Sequence, residues 1–247
     1  MGADHVLFIS LDSCRYDTFA AADDAGGLPN LSALAPLHRA QAPSHFTYAS
    51  HAAFWMGFTP GVEGTSDPLL NPKAGKLFRM TYAGHPGVDA EGFRLDGANV
   101  IDGFRRQGYH TIGSGAVEWF NPTTETGAVL GEPFEHFHFA GNTWSLPDQL
   151  AWLDEQMAEA PAGQPLFVFL NVGETHVPYW HQGAHWPCRP SPCVPFGGVQ
   201  CDAAESARRQ RACLEWVDGR LASLLKRFAN DTVLVCADHG DCWGEDG

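Results

Sequence analysis

Positive charge is scarce in this chain of 247 residues: 15 Lys and Arg stand against 29 Asp and Glu, which gives a net charge of -14 at pH 7. Such a chain lacks the broad basic surface that binds nucleic-acid phosphates or anionic lipids. We therefore predict no nucleic-acid partner. If the substrate is an anion, a bound metal must supply the positive charge.

Long hydrophobic runs are absent as well. No window approaches the roughly 18 apolar residues that cross a bilayer, and the first residues lack the basic and apolar regions of a secretory signal. The sequence thus predicts no membrane span and a cytoplasmic location. The oligomeric state is not indicated.

Cysteine is present in an odd number, seven. A chain of this length does not need disulfides to stay folded, so we expect mostly free thiols. Four cysteines lie close together in sequence: Cys188, Cys193, Cys201 and Cys213. Because they lack tight Cys-x-x-Cys pairs, a structural zinc site is the minor alternative.

Short apolar runs recur at 5–11, 109–113, 165–172 and 232–237. They are typical of strands buried on both faces. Helix-like stretches lie between them at 99–106, 145–158 and 202–228. This alternation predicts an α/β fold, a mostly parallel sheet covered by helices on both faces. Segments 59–95 and 177–201 are expected to pass over the carboxyl edge of the sheet, where such folds hold their sites.

Polar side chains follow three of the predicted strands. They are Asp12 and Arg15 after the first, Glu174 and His176 after the third, and Asp238 and His239 after the last. An isolated Asp after a strand is more often a helix cap than a ligand. Three such ends at one sheet edge favour a site for a divalent cation, Mn or Zn before a soft metal.

A hydroxyl-rich segment at 47–51 is predicted to open a further helix. Thr47 or Ser50 would serve as its N-cap in the simplest interpretation. A helix N-terminus is also an anion site, however, and a hydroxyl held there beside a metal becomes a nucleophile. The residues alone leave both interpretations open.

The motifs occur in a particular order along the chain. They are Asp12, Pro29-Asn30-Leu31 at the start of the next helix, Thr47-x-Ala49-Ser50-His51, Glu174-Thr175-His176-x-Pro178-Tyr179, and Asp238-His239-Gly240 followed by Gly244-Glu245-Asp246-Gly247. This ordered set resembles the sulfatase-like metalloenzymes of the alkaline phosphatase superfamily. The resemblance spans essentially the whole chain and implies the α/β/α sandwich of that superfamily.

The resemblance also implies roles for individual residues. Sulfatases carry Cys or Ser at the position of Thr47, and a threonine cannot give their formylglycine aldehyde because its Cβ carries a methyl group. The phosphoryl-handling branches are therefore implied, with Thr47 as nucleophile and His176 as a second catalytic residue that contacts substrate or a second metal. The implied ligands of one divalent ion, Mn or Zn, are Asp12, Thr47, Asp238 and His239. Substrate binding is predicted for His51, Glu174 and Arg15.

The predicted function is a divalent-metal-dependent hydrolase or transferase of phosphate or phosphonate esters that acts on a small anionic ester. A sulfuric ester hydrolase is one alternative, and a non-catalytic metal- or anion-binding subunit of a biosynthetic assembly is another. Relatives generally continue past the Asp-His-Gly motif, whereas this sequence ends eight residues after His239. We expect one catalytic domain over residues 1–247 without the usual C-terminal extension.

Overall fold

The computed structural model describes residues 4–57, 99–193 and 201–245. In this part of the chain five strands form one sheet in the order β3-β2-β4-β1-β5, and every pairing is parallel. The strands are β1 (Val6–Leu11), β2 (His110–Gly115), β3 (His136–Phe139), β4 (Leu166–Val172) and β5 (Thr232–Ala237). Four of them coincide with the predicted apolar runs, and β3 was not predicted.

Six α-helices lie in the described residues: α1 (Tyr16–Asp24), α2 (Thr47–Met56), α3 (Val100–Arg106), α4 (Glu125–Gly131), α5 (Leu146–Glu159) and α6 (Ala203–Arg227). The sequence predicted α2, α3, α5 and α6 but not α1 and α4. One expectation is wrong, because Pro29, Asn30 and Leu31 form turns and do not begin a helix. None of the described helices is long and apolar enough to cross a membrane.

The two faces of the sheet carry different cores because side chains alternate along each strand. On one face aliphatic residues such as Leu7, Ile9 and Val168 pack against side chains of α1, α5 and α6. On the other face Phe8 and Phe169 pack against side chains of α2, α3 and α4. Each such buried side chain stabilises the fold by about 1.5–3 kcal/mol. Helices thus cover both faces, which confirms the predicted α/β fold with a mostly parallel sheet.

The aromatic face becomes polar at the carboxyl edge of the sheet. Ser10 and Asp12 continue the side of β1 that begins with Phe8, and Asn171 pairs in register with Ser10. All three polar residues are fully buried. A buried polar group is costly unless it is hydrogen-bonded, so this edge is where a site is expected.

The two segments that were predicted to cross this edge are described only in part. Segment 59–95 lies outside the described residues. The described stretch 177–193 contains no helix or strand, and Tyr179 and Cys193 in it pack against Trp243 beyond the end of β5. This loop therefore adjoins the carboxyl ends of the strands.

Candidate metal centre

Three of the predicted ligands meet at the carboxyl edge of the sheet. Asp12 follows β1, and Asp238 and His239 follow β5, which pairs with β1 in parallel. One ligand atom from each residue lies within 4.8 Å of the other two, and this is the only such group of three or more His, Cys, Asp or Glu in the described residues. The His239 Nε2 atom lies 3.8 Å from Asp12 Oδ1 and 3.7 Å from Asp238 Oδ2. Their spacing suits a single cation.

Only one of the two oxygens of the Asp238 carboxylate has hydrogen-bond donors in the protein. Its Oδ1 accepts the backbone N–H groups of Ser13, at 3.0 Å, and of His239, at 2.9 Å. Its Oδ2 is buried without any hydrogen-bond partner. Burial and the neighbouring Asp12 carboxylate raise the pKa of Asp238 to about 8. A bound cation would give Asp238 Oδ2 a partner and offset the repulsion between the Asp238 and Asp12 carboxylates. The residues present therefore fit a divalent metal.

His239 presents one ring nitrogen to these carboxylates. Because a carbonyl only accepts hydrogen bonds, the Nδ1–H of His239 donates to the Gly240 carbonyl at 3.0 Å, which leaves the Nε2 lone pair for a ligand. Metal-binding histidines are commonly oriented in this way. Burial opposes charge on this ring, but Asp238 and Asp12 outweigh it and raise the pKa of His239 above its ordinary value.

Thr47 brings a hydroxyl to the same place. Its Oγ1 lies 3.4 Å from Asp12 Oδ2 and 3.4 Å from His239 Nε2. The N-cap interpretation is wrong, because the N-cap of α2 is Phe46 and no side chain caps the helix. Thr47 is the first residue of the helix and is buried. The four implied ligands are therefore neighbours in space.

Asp12 is held by polar residues that sequence reasoning missed. Asn171 Nδ2 donates to Asp12 Oδ2 at 3.1 Å, and the Thr175 hydroxyl donates to the Asp12 carbonyl at 2.7 Å. The next residue, Ser13, adopts a left-handed φ of 57°, a conformation that is strained for a residue other than glycine. This turn directs the Ser13 N–H to Asp238. The available signal was polar residues inside otherwise apolar strands.

Gln210 in the amino-terminal half of α6 joins two of the strand-end loops. Its Nε2 donates to the carbonyls of Ser13, at 2.8 Å, and Thr175, at 3.0 Å, and its Oε1 accepts the Arg15 N–H at 3.3 Å. The side chain is fully buried. The loops after β1 and β4 are thus positioned from one helix, and no sequence motif marked this residue.

His51 lies beneath Thr47 rather than at an opening toward solvent. Its Nδ1–H donates to the Thr47 carbonyl at 2.8 Å, and its Nε2 lies 2.9 Å from the Ser10 hydroxyl. Burial lowers the pKa of His51 to about 4, so the ring is neutral at pH 7. Both ring nitrogens have protein partners, so this placement offers neither to the substrate that the sequence analysis assigned to it.

Glu174 also has a different environment from the one expected for substrate binding. It is fully buried, and its Oε1 accepts the Leu146 N–H at 2.9 Å at the first residue of α5. Its Oε2 is buried without a partner. Burial raises the pKa of Glu174 to about 7. The carboxyl group therefore anchors the N-terminus of α5 and is not among the candidate ligands.

Arg15 is occupied by neighbouring acids. Its guanidinium forms a bidentate pair with Asp17, at 2.9 and 2.6 Å, and also pairs with Glu245 at 2.5 Å. It donates to the Asp241 carbonyl at 2.8 Å and lies 4.2 Å from the centre of the Trp243 ring. Arg15 thus joins the loops after β1 and β5, and the predicted contact with substrate would require these pairs to open.

His176 stands at the edge of the site, beside an acid that the sequence analysis did not single out. The Nδ1–H of His176 donates to the Val177 carbonyl at 2.7 Å, so its Nε2 is the basic nitrogen. Burial raises the pKa of Asp241, and the nearby His176 opposes that rise. The Tyr179 hydroxyl donates to Asp241 Oδ2 at 2.6 Å and accepts from Trp243 Nε1 at 2.8 Å.

Comparison with known proteins relies on structure, because no protein-family model and no curated protein sequence matches the chain. A protein in the alkaline phosphatase superfamily from Vibrio parahaemolyticus aligns with a TM-score of 0.55 and 13% identity over 100% of this chain and 57% of its own. The chain therefore shares the fold of this structure.

Two further solved structures share this fold. The C-terminal periplasmic domain of EcEptC from Escherichia coli gives a TM-score of 0.60 at 14% identity, over 99% of this chain and 65% of that one. The lipoteichoic acid synthase LtaP from Listeria monocytogenes gives 0.55 at 10% identity, over 99% and 58%. A second EcEptC structure is a complex with Zn. Because one of these structures is a periplasmic domain, the cytoplasmic location of this chain stays a prediction.

The chain spans 57–65% of the length of the four structures described above. At 10–14% identity the likeness shows the fold. The chemistry therefore has to be argued from the site residues themselves.

Proposed function

We propose that the protein is a divalent-metal-dependent hydrolase or transferase of phosphate or phosphonate esters, with Thr47 as nucleophile. The observation that carries this proposal is the position of the Thr47 hydroxyl, 3.4 Å from both Asp12 Oδ2 and His239 Nε2. This hydroxyl belongs to the first residue of a helix, lies beside a buried carboxylate and an imidazole, and does not cap the helix. Its position supports the proposed role as nucleophile.

Asp12, Asp238, His239 and Thr47 would hold one ion. Their three oxygen donors and one imidazole suit Zn or Mn, and the unpartnered Asp238 Oδ2 is the oxygen that most needs a cation. When bound, the ion would favour ionisation of the Thr47 hydroxyl and offset the negative charge of the ester. This is how a chain with a net charge of -14 would receive an anion.

In the proposed reaction Thr47 Oγ1 attacks phosphorus and the ester oxygen leaves, which gives a phosphothreonine. The amino end of α2 favours the anionic group because backbone N–H groups point out of a helix N-terminus. Water or an acceptor alcohol then attacks phosphorus, and the bond between phosphorus and Thr47 Oγ1 breaks to regenerate Thr47. His176, whose Nε2 is its basic nitrogen, would accept the proton of that nucleophile.

The proposal is tested with aryl phosphate monoesters, aryl phosphate diesters and aryl phosphonates in the presence of Mn or Zn. We expect turnover by the wild type and a loss of at least about a thousandfold in Thr47→Ala. Thr47→Ser should retain part of the activity, because it keeps the hydroxyl. Thr18→Ala is the matched control, since Thr18 is a buried helical threonine whose hydroxyl has no partner.

Acid quenching and mass spectrometry should detect phosphothreonine at Thr47 in the wild type. Equal turnover by wild type and Thr47→Ala would refute the assignment of the nucleophile. Preferred turnover of an aryl sulfate would overturn the phosphoryl part of the proposal and favour a sulfuric ester hydrolase. A metal-loaded wild type that turns over none of these esters would favour a non-catalytic binding protein.

A further inference from the structure

Two cysteines outside the candidate metal centre lie in direct contact. The Sγ atoms of Cys193 and Cys201 are 3.3 Å apart. The sequence analysis expected mostly free thiols, and the minor alternative was a zinc site that also included Cys188 and Cys213. Within the described residues those four cysteines do not form a group that could hold an ion. The contact between Cys193 and Cys201 therefore needs another explanation.

The backbone already brings these two cysteines together. The Asp202 N–H, next to Cys201, donates to the carbonyl of Pro192, next to Cys193, at 2.9 Å. Asp202 is fixed in turn as the N-cap of α6, where its side chain accepts the Glu205 N–H at 2.9 Å. A disulfide requires closely approaching backbones. The two sulfur atoms have to approach from 3.3 Å to about 2.05 Å for a bond to form.

The pair lies next to the loop after β5, which carries the candidate ligands Asp238 and His239. Cys193 is 1% exposed and packs in a cluster with Tyr179 and Trp243. Its Sγ lies 3.3 Å from the Cys242 carbonyl. Tyr179 also binds Asp241, two residues after His239. A covalent link here would stabilise the packing of the loop after β4 against the loop after β5.

We propose that Cys193 and Cys201 form a disulfide bond that fastens the loop after β4 to the start of α6. Cys201 is the more exposed thiol, so its thiolate attacks a sulfur of a small-molecule disulfide such as oxidised glutathione and releases one thiol. Cys193 then loses its proton and attacks the Cys201 sulfur, which releases the second thiol. The two cysteines lose two electrons and two protons, and the oxidant becomes two thiols.

The test is a peptide map of the full chain after incubation with oxidised glutathione and alkylation under denaturing conditions. Chymotrypsin cleaves after Phe196, between the two cysteines. A Cys193–Cys201 disulfide therefore leaves two peptides joined without reductant and separated by it. We expect this joined pair in the wild type and in the control Cys188→Ser, and its absence in Cys201→Ser.

Thermal unfolding gives a second measurement, independent of catalytic activity. Reductant should lower the Tm of the oxidised wild type and of Cys188→Ser by roughly 5 °C, because the disulfide restricts the unfolded chain. It should leave the Tm of Cys201→Ser unchanged. Full alkylation of Cys193 and Cys201 after oxidation, or a link from either one to a different cysteine, would overturn the proposal. A wild-type Tm that does not respond to reductant would overturn the fastening role.

Discussion

Two buried aspartates show how differently one side chain is used in this molecule. Asp218 in α6 is 1% exposed and Asp238 after β5 is 0% exposed. The Asp218 carboxylate accepts hydrogen bonds from the Asn30 side chain at 2.7 Å and from the backbone N–H groups of Asn30, at 3.1 Å, and Leu31, at 2.7 Å. Asp238 Oδ2 accepts none and lies near a second acid, Asp12.

The comparison separates an acid that holds the fold together from an acid that needs a ligand. Neutral donors satisfy both oxygens of Asp218, and its role is to fix the turn at 29–31 against α6. The protein leaves one oxygen of Asp238 unsatisfied at the sheet edge where Thr47 and His239 converge. Burial alone does not distinguish the two sites, whereas the count of hydrogen-bond donors does.

The largest expected effect is on activity. Asp238→Asn should lower kcat/KM on the best aryl ester by at least about a thousandfold and should abolish binding of Mn or Zn. Asp218→Asn, assayed per folded molecule, should stay within about threefold of the wild type, because Asp218 contacts no residue of the candidate centre. Steady-state kinetics and elemental analysis of the purified variants check both outcomes. Equal losses in the two variants would break the comparison.

The second expected effect is on stability, where substitution of Asp218 should cost more than substitution of Asp238. Asp218→Ala should lower the free energy of unfolding by about 3 kcal/mol, since it leaves the buried donors of Asn30 and Leu31 without an acceptor. In the presence of a chelator, Asp238→Asn should be at least as stable as the wild type, because it removes one of two adjacent buried acids. Urea unfolding followed by circular dichroism measures both values. A metal-free Asp238→Asn less stable than Asp218→Ala would contradict this interpretation.

These contrasts also show which parts of the fold the sequence could predict. Continuous apolar runs identified β1, β2, β4 and β5, whereas β3 is a four-residue edge strand, His-Phe-His-Phe, with too little pattern to recognise. The helix α4 is only seven residues long and contains two glycines. Short elements of this kind are determined by tertiary packing rather than by local propensity.

The candidate site was predictable to the extent that strand order determines it. Because parallel strands end at one edge, residues that directly follow β1 and β5 had to lie close together. Strand order does not determine where a side chain points beyond the first loop residue. Glu174 follows β4 but turns to the N-terminus of α5. Asn171 and Gln210 act through hydrogen bonds between distant segments, which no local pattern encodes.

Glu174 is a third buried acid that can be compared with Asp218 and Asp238 by the hydrogen-bond donors at its two oxygens. One of its oxygens has a donor and the other has none. Burial raises the pKa of Glu174 from 4.5 to about 7, so folding favours the protonated form. Its contribution to stability is complete below pH 4.5 and is lost as the pH rises through 7. Glu174→Gln should match the wild type near pH 4.5 and be more stable at pH 8 by about 3 kcal/mol.

Urea unfolding at several pH values between 4.5 and 8 measures this difference. The matched control is Glu155→Gln, which changes an exposed glutamate of α5 and should preserve the pH dependence of the wild type. A difference between Glu174→Gln and wild type that is constant across this range would contradict the assignment of a buried, protonated carboxyl group.

The smallest expected effect is the response of the folded protein to the metal alone. An ion that binds only the folded state at a hundred times its Kd adds about 2.7 kcal/mol, or roughly 5–10 °C in Tm. Mn or Zn should produce this shift in the wild type and in Asp218→Asn, and a chelator should reverse it. Asp238→Asn should show no shift by scanning calorimetry. A shift of equal size in Asp238→Asn would place the ion elsewhere.

Gln210 has a consequence for how substitutions in this protein are interpreted. Its amide uses both donors and its acceptor on the three backbone groups described above. Glutamate cannot donate to the two carbonyls, and leucine can neither donate nor accept. A saturation-mutagenesis screen should therefore rank position 210 among the least tolerant in α6. Intolerance there would reflect the alignment of two loops by one amide, and a screen alone would not distinguish it from intolerance at a residue that contacts substrate.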